Sequence, residues 1–125
     1  MANSEKILMN ECIYLRNEEY YYKYMYNDIY QIAVSGRCCN IYLSPDKSKK
    51  ISLSITLIEL MRFLPTHIFI RTHRSYVVNI NHIERITGNM LYVGDCIVPI
   101  GREYKETVYS RLNIVGVMSD NNINT

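Results

Sequence analysis

The apolar residues of this chain come in short runs cut by turn residues, a rhythm that points to antiparallel β structure. From Ile83 the order is Ile83-Glu84-Arg85-Ile86, a turn at Gly88-Asn89, Met90-Leu91-Tyr92-Val93, a tight turn at Gly94-Asp95, then Cys96-Ile97-Val98. Runs of this length between glycine turns predict a β meander. Upstream, residues 10–16 read as a first strand with Ile13 and Leu15 on one face, and Asn17-Glu18-Glu19 as a turn. Tyr20 to Tyr26 reads as a strand, because tyrosine suits a pleated, half-buried surface. Asp28 to Val34 and Ile41-Tyr42-Leu43 are further strands, joined by a connection over Ser35 to Asn40 with Gly36 as its flexible point. Pro45-Asp46 fits the centre of a tight turn, and Ile51, Leu53 and Ile55 alternate with serines as in a half-buried strand.

Two helices interrupt the strands. Thr56 and Glu59 form a capping box ahead of Leu57, Leu60, Met61 and Leu64 at helical spacing, and Pro65 ends the pattern. A C-terminal helix starts after Gly101, with Tyr104, Val108 and Leu112 on one side. The expected class is mainly β and antiparallel, with one short internal helix and a C-terminal helix. Residues 1–9 read as a polar leader with an apolar patch at Ile7-Leu8-Met9, residues 10–116 as the domain, and residues 117–125 as a frayed tail.

The segment Phe69 to His82 carries the chemistry. Arg71, His73 and Arg74 fall within four residues, with no acidic residue between Arg62 and Ile83. Tyr76, Val77, Val78 and Ile80 follow and read as a buried strand bounded by Asn79 and Asn81. A cationic segment on a stiff strand suits an anion-binding surface, because the strand fixes where each charge points. Alternation would send Arg71 and His73 to one side and Thr72 and Arg74 to the other. The same residues also fit an ordinary strand with solvated charges, Arg71 pairing with a carboxylate such as Glu84.

Composition bounds the function. At 125 residues the chain suits one domain. A net charge of +2 excludes a protein coated in lysine, but its distribution is uneven. Residues 1–27 hold Lys6, Arg16 and Lys23 against Glu5, Glu11, Glu18 and Glu19, whereas residues 28–125 hold eleven basic and eight acidic residues. Local clustering sets the potential that a phosphate meets. Cys12, Cys38, Cys39 and Cys96 lack zinc-knuckle or thioredoxin spacing, so reduced thiols and no cofactor are expected. No signal peptide and no membrane-spanning run is visible, which fits a cytoplasmic protein. His67, His73 and His82 with four cysteines carry no local catalytic signature, and no enzyme activity is expected. Tyr20, Tyr22, Tyr24 and Tyr26 share a face. That row could stack single-stranded nucleic acid or meet a protein, or it could fill a small β core.

Phe69-x-Arg71-x-His73-Arg74-Ser75-Tyr76-x-Val78-Asn79 resembles the signature of LytTR domains, the DNA-binding output domains of many bacterial response regulators. The resemblance extends back through Asp28-Ile29-Tyr30 and the Leu57-to-Leu64 pattern, and forward to Val98-Pro99-Ile100-Gly101-Arg102-x-Tyr104. It covers roughly residues 10 to 112. It implies an elongated antiparallel β-sheet domain that contacts duplex DNA through sheet-edge loops, without a recognition helix. The implied contact residues are Arg37, Cys38 and Asn40 in the first loop, Arg74 and Ser75 in the second, and Arg102 and Lys105 at the last helix. Arginine can fork onto guanine and asparagine onto adenine, while serine and lysine hold phosphate.

Two departures accompany the resemblance. Gly101 stands where many members carry serine, and cysteines occupy positions 38 and 39, where a stronger hydrogen-bonding side chain would read a base better. No receiver-like segment precedes the domain, so the chain reads as an excised output domain or a free-standing regulator. The implied partners are double-stranded DNA at promoter repeats, with a receiver domain or inhibitor protein as further candidates. With no heptad pattern, a monomer in solution that pairs on DNA is expected.

Overall fold

The structure, a computed structural model, describes residues 11–116. The expected leader over residues 1–9 and tail over residues 117–125 lie outside the described residues. The first hairpin pairs β1 (Cys12–Asn17) with β2 (Tyr20–Met25) as a separate two-stranded sheet. Its turn places Glu18 at φ 62. The tyrosine strand ends one residue sooner than expected, because Tyr26–Asp28 forms a 3-10 turn. The next strand therefore starts at Gln31 rather than Asp28.

A five-stranded antiparallel sheet follows, in the order β5-β4-β3-β7-β6. Its members are β3 (Gln31–Ser35), β4 (Cys38–Tyr42), β5 (Lys50–Leu53), β6 (Phe69–His73) and β7 (Tyr76–Asn79). Between β5 and β6 lies α1 (Leu57–Met61), shorter than its apolar pattern suggests. Thr56 caps it, its Oγ1 accepting from the Glu59 amide at 3.1 Å. The expected meander is present as β8 (Ile83–Thr87), β9 (Met90–Val93) and β10 (Cys96–Pro99). Gly94 in its second turn has φ 58, and a Cβ there would sit 2.9 Å from Pro45, so the position admits only glycine. A 3-10 turn at Arg102–Tyr104 leads into α2 (Lys105–Arg111).

Successive residues of the central strands enter different cores. Phe69 and Val77 pack with Leu15, Tyr26, Ile32, Leu57 and Leu60. Ile70 and Val78, one residue on in each strand, pack with Leu91, Val93, Val98 and Val108. This explains why these strands are continuously apolar rather than alternating: both faces of the sheet are covered. Asn79 closes β7 and is fully buried. Its Nδ2 donates to the carbonyls of Ile29 (3.0 Å) and Tyr26 (3.3 Å), while its Oδ1 accepts from the Asn81 amide.

Candidate nucleic-acid interface

The basic segment is a hairpin, not a single strand. Its two strands, β6 and β7, meet at a two-residue turn, Arg74-Ser75. The register slips between them: Arg71 faces Val77, yet His73 faces Tyr76, leaving Thr72 as the extra residue of a β-bulge. Cross-strand partners share a face, so the bulge separates Arg71 from His73, which simple alternation would have kept together. Thr72 is buried, while Arg74 stands exposed in the turn rather than beside it.

The bulge also builds the site. The carbonyl of Thr72 accepts from the Gly101 amide at 2.7 Å, docking the start of the last helical segment against the hairpin. His73, Arg74, Gly101, Arg102, Glu103 and Tyr104 thereby line one open groove. Gly101 provides the N-cap position without a side-chain cap, and a Cβ there would lie 3.3 Å from the Tyr104 ring and 3.4 Å from the His73 ring. On the other side, Gly36, Arg37, Cys38, Ile55, Arg71 and Arg74 border a second groove. Arg74 belongs to both. Among the described residues, the exposed guanidinium groups of Arg37, Arg74 and Arg102 make no hydrogen bond or ion pair. Among the described residues lining the two grooves, Glu103 is the one acid.

Other side chains hold the frame. Arg71 does not turn to a carboxylate: its Nε donates to the His73 carbonyl at 3.3 Å and its terminal nitrogen to the Arg74 carbonyl at 2.6 Å. Its guanidinium also sits 5.6 Å from the centre of the Tyr104 ring. His73 Nδ1 accepts from the Ser75 amide at 3.1 Å, which puts the ring proton of the neutral form on Nε2. The Ser75 carbonyl accepts from Val34, fastening the turn to β3. Lys105 is half-buried and donates to Asn89 Oδ1 at 3.2 Å.

The loop expected over residues 35–40 is a tighter feature. Gly36, at φ 60, and Arg37 form the turn, while Cys38, Cys39 and Asn40 lie in β4 opposite Ser35, Val34 and Ala33. Asn40 is buried and its Oδ1 accepts from Ser52 Oγ, so it is not the open amide that base reading requires. Cys38 stays half-exposed in the groove. Cys39 is buried and donates its thiol to the Ile55 carbonyl at 3.2 Å; burial, then the neighbouring Cys38, pushes its pKa up. Among the described residues no three His, Cys, Asp or Glu side chains gather as a metal site. The tyrosine row divides: Tyr24 and Tyr26 pack into the core, while Tyr20 and Tyr22 are exposed.

Residues 12–113 match the LytTr DNA-binding domain family. The chain is 27% identical over 117 residues to the sensory transduction protein LytT of Enterococcus faecalis, covering 89% of this chain but 47% of that longer protein. The fold is similar to a solved LytTr DNA-binding domain from Bacillus cereus, with a TM-score of 0.70 and 20% identity, covering 83% of this chain and 98% of that one.

Proposed function

This chain belongs to the LytTR family of DNA-binding domains, and from that premise we propose that it reads duplex DNA sequence-specifically as part of a bacterial transcription regulator. The observation that carries this reading is the position of Arg74. It borders both grooves, so three segments far apart in sequence present Arg37, Arg74 and Arg102 on one continuous surface. Forked guanidinium groups not engaged among the described residues suit guanine edges. Cys38 and Ser75 flank these arginines as lesser contacts, and Lys105 serves the phosphates. Asn40 is better assigned to holding β4.

The working unit is a monomer in solution, two copies of which occupy promoter repeats in the cytoplasm. A receiver domain would supply the signal. The test is a salt titration with duplex and single-stranded DNA. Log affinity for the duplex should fall against log salt with a slope of about −4 to −7, from roughly 0.9 per neutralised phosphate. A slope near zero, or preference for the single strand, would refute the reading.

A further inference from the structure

We propose that the outer edge of β2 is a pairing surface for a second copy of this chain, used when two copies occupy neighbouring DNA sites. The inference rests on the DNA-binding reading above. No described strand pairs with that edge of β2. The strand is rich in exposed aromatic surface all the same: Tyr20 is 62% exposed, Tyr21 66% and Tyr22 46%. Long apolar edges recruit other strands, and proteins usually blunt them with charge. Here the strand carries one charge, Lys23, with Glu19 just before it.

The backbone sets which groups are on offer. Asn17 pairs with Tyr20 across the hairpin turn, and the Tyr26 amide donates back to the Glu11 carbonyl. Even-numbered residues thus spend their hydrogen bonds on β1, and Tyr21, Lys23 and Met25 turn theirs outward. Antiparallel pairing of two β2 edges about a two-fold axis at Tyr21 lets the two copies of Tyr21 exchange both backbone hydrogen bonds and sets Tyr21 against its own copy, with Met25 beyond the overlap. Tyr20 then falls opposite the second copy's Tyr22, and Glu19 opposite its Lys23, each twice by symmetry. Moving the axis to Lys23 would set like charges face to face, which disfavours that register. The strand is therefore self-complementary in charge in one register.

Its location fits the role. Ile55 borders the groove that holds Arg37 and also a second, apolar groove lined by Tyr14, Tyr21, Leu60 and Phe63. The tyrosine hairpin thus lies beside the basic surface, across α1, rather than behind it. Such a contact is weak between free molecules and gains from the high effective concentration on one duplex.

The experiment uses the full chain and duplexes bearing one or two copies of a site selected from a random library, with spacings scanned by whole and half turns. The wild type should bind paired sites cooperatively at one phase of the helix. Lys23→Glu and Glu19→Lys should each cut cooperativity about five- to tenfold, as two ion pairs become like-charge pairs. The double variant, with the charges exchanged, should restore it, while single-site affinity stays level throughout. If single-site binding is intact but the wild type is not cooperative, or the double variant fails to recover, the edge does not pair with its own copy. Loss of single-site binding by the wild type would instead overturn the DNA-binding reading itself.

Discussion

Arg102 and Lys105 lie three residues apart and differ in what holds them. Arg102 is exposed and makes no hydrogen bond or ion pair among the described residues, whereas Lys105 is tied to Asn89 and sits 5.9 Å from the Tyr109 ring. A base contact by Arg102 costs no internal bond. Arg102→Ala is expected to lose about 1–3 kcal/mol at one position of the site and to relax preference there. Lys105→Ala should weaken every sequence alike. Binding profiles over all single-base variants of a selected site will separate the two, and parallel profiles would refute the division. At this scale the cations were legible, because a basic cluster in an acid-free stretch needs no tertiary information to be noticed. Asn40 was not. Its partner Ser52 comes from β5, and the pairing that brings them together depends on a register set by the whole sheet. Asn79 reads as a strand boundary for the same reason, although its amide ties together residues 26 to 29.

Elements with a clean period or a marked turn were readable: the meander, the capping box before α1, the helix after Gly101. The 3-10 turn at Tyr26–Asp28 was hidden, because the tyrosine run ahead of it suits a strand and carries no breaker. The bulge at Thr72 was hidden more deeply, since alternation assumes a regular two-residue repeat. That bulge makes Arg71 a positioning residue. Its two donations hold the carbonyls of His73 and Arg74, and its contact with Tyr104 joins the turn to the Arg102 segment. Arg71→Lys keeps the charge and loses the fork. Base discrimination should therefore drop about tenfold for Arg71→Lys, while the salt slope and thermal midpoint stay close to wild type. Arg71→Met should keep that slope as well. If it falls by about one unit, Arg71 touches phosphate itself; if lysine serves as well as arginine, the fork does not position the turn.

At the scale of the whole molecule, two apolar cores share one sheet. Val77 and Val78 are both fully buried neighbours in β7, yet one belongs to the core beneath the tyrosine hairpin and the other to the core beneath the meander and α2. A strand cannot leave one core and stay in the other, since its backbone hydrogen bonds to β3 and β6 serve both faces. The domain should therefore unfold as one cooperative unit despite its divided interior. Val77→Ala and Val78→Ala are each expected to cost roughly 2 kcal/mol, at the lower end of large-to-small core changes. The sharper expectation concerns coincidence. Of the twelve tyrosines, Tyr24 and Tyr26 pack into the first core and Tyr30, Tyr76, Tyr104 and Tyr109 against the second, so tyrosine fluorescence reports tertiary packing on both faces, whereas far-ultraviolet circular dichroism reports the backbone of all strands. In Val78→Ala, whose cavity lies in the second core, both signals should move to the same lower midpoint. Midpoints that differ between the two signals would mean that the two cores melt separately. The basic surface would then rest on the less stable half, because Gly101 and Arg102 reach the hairpin through the second core.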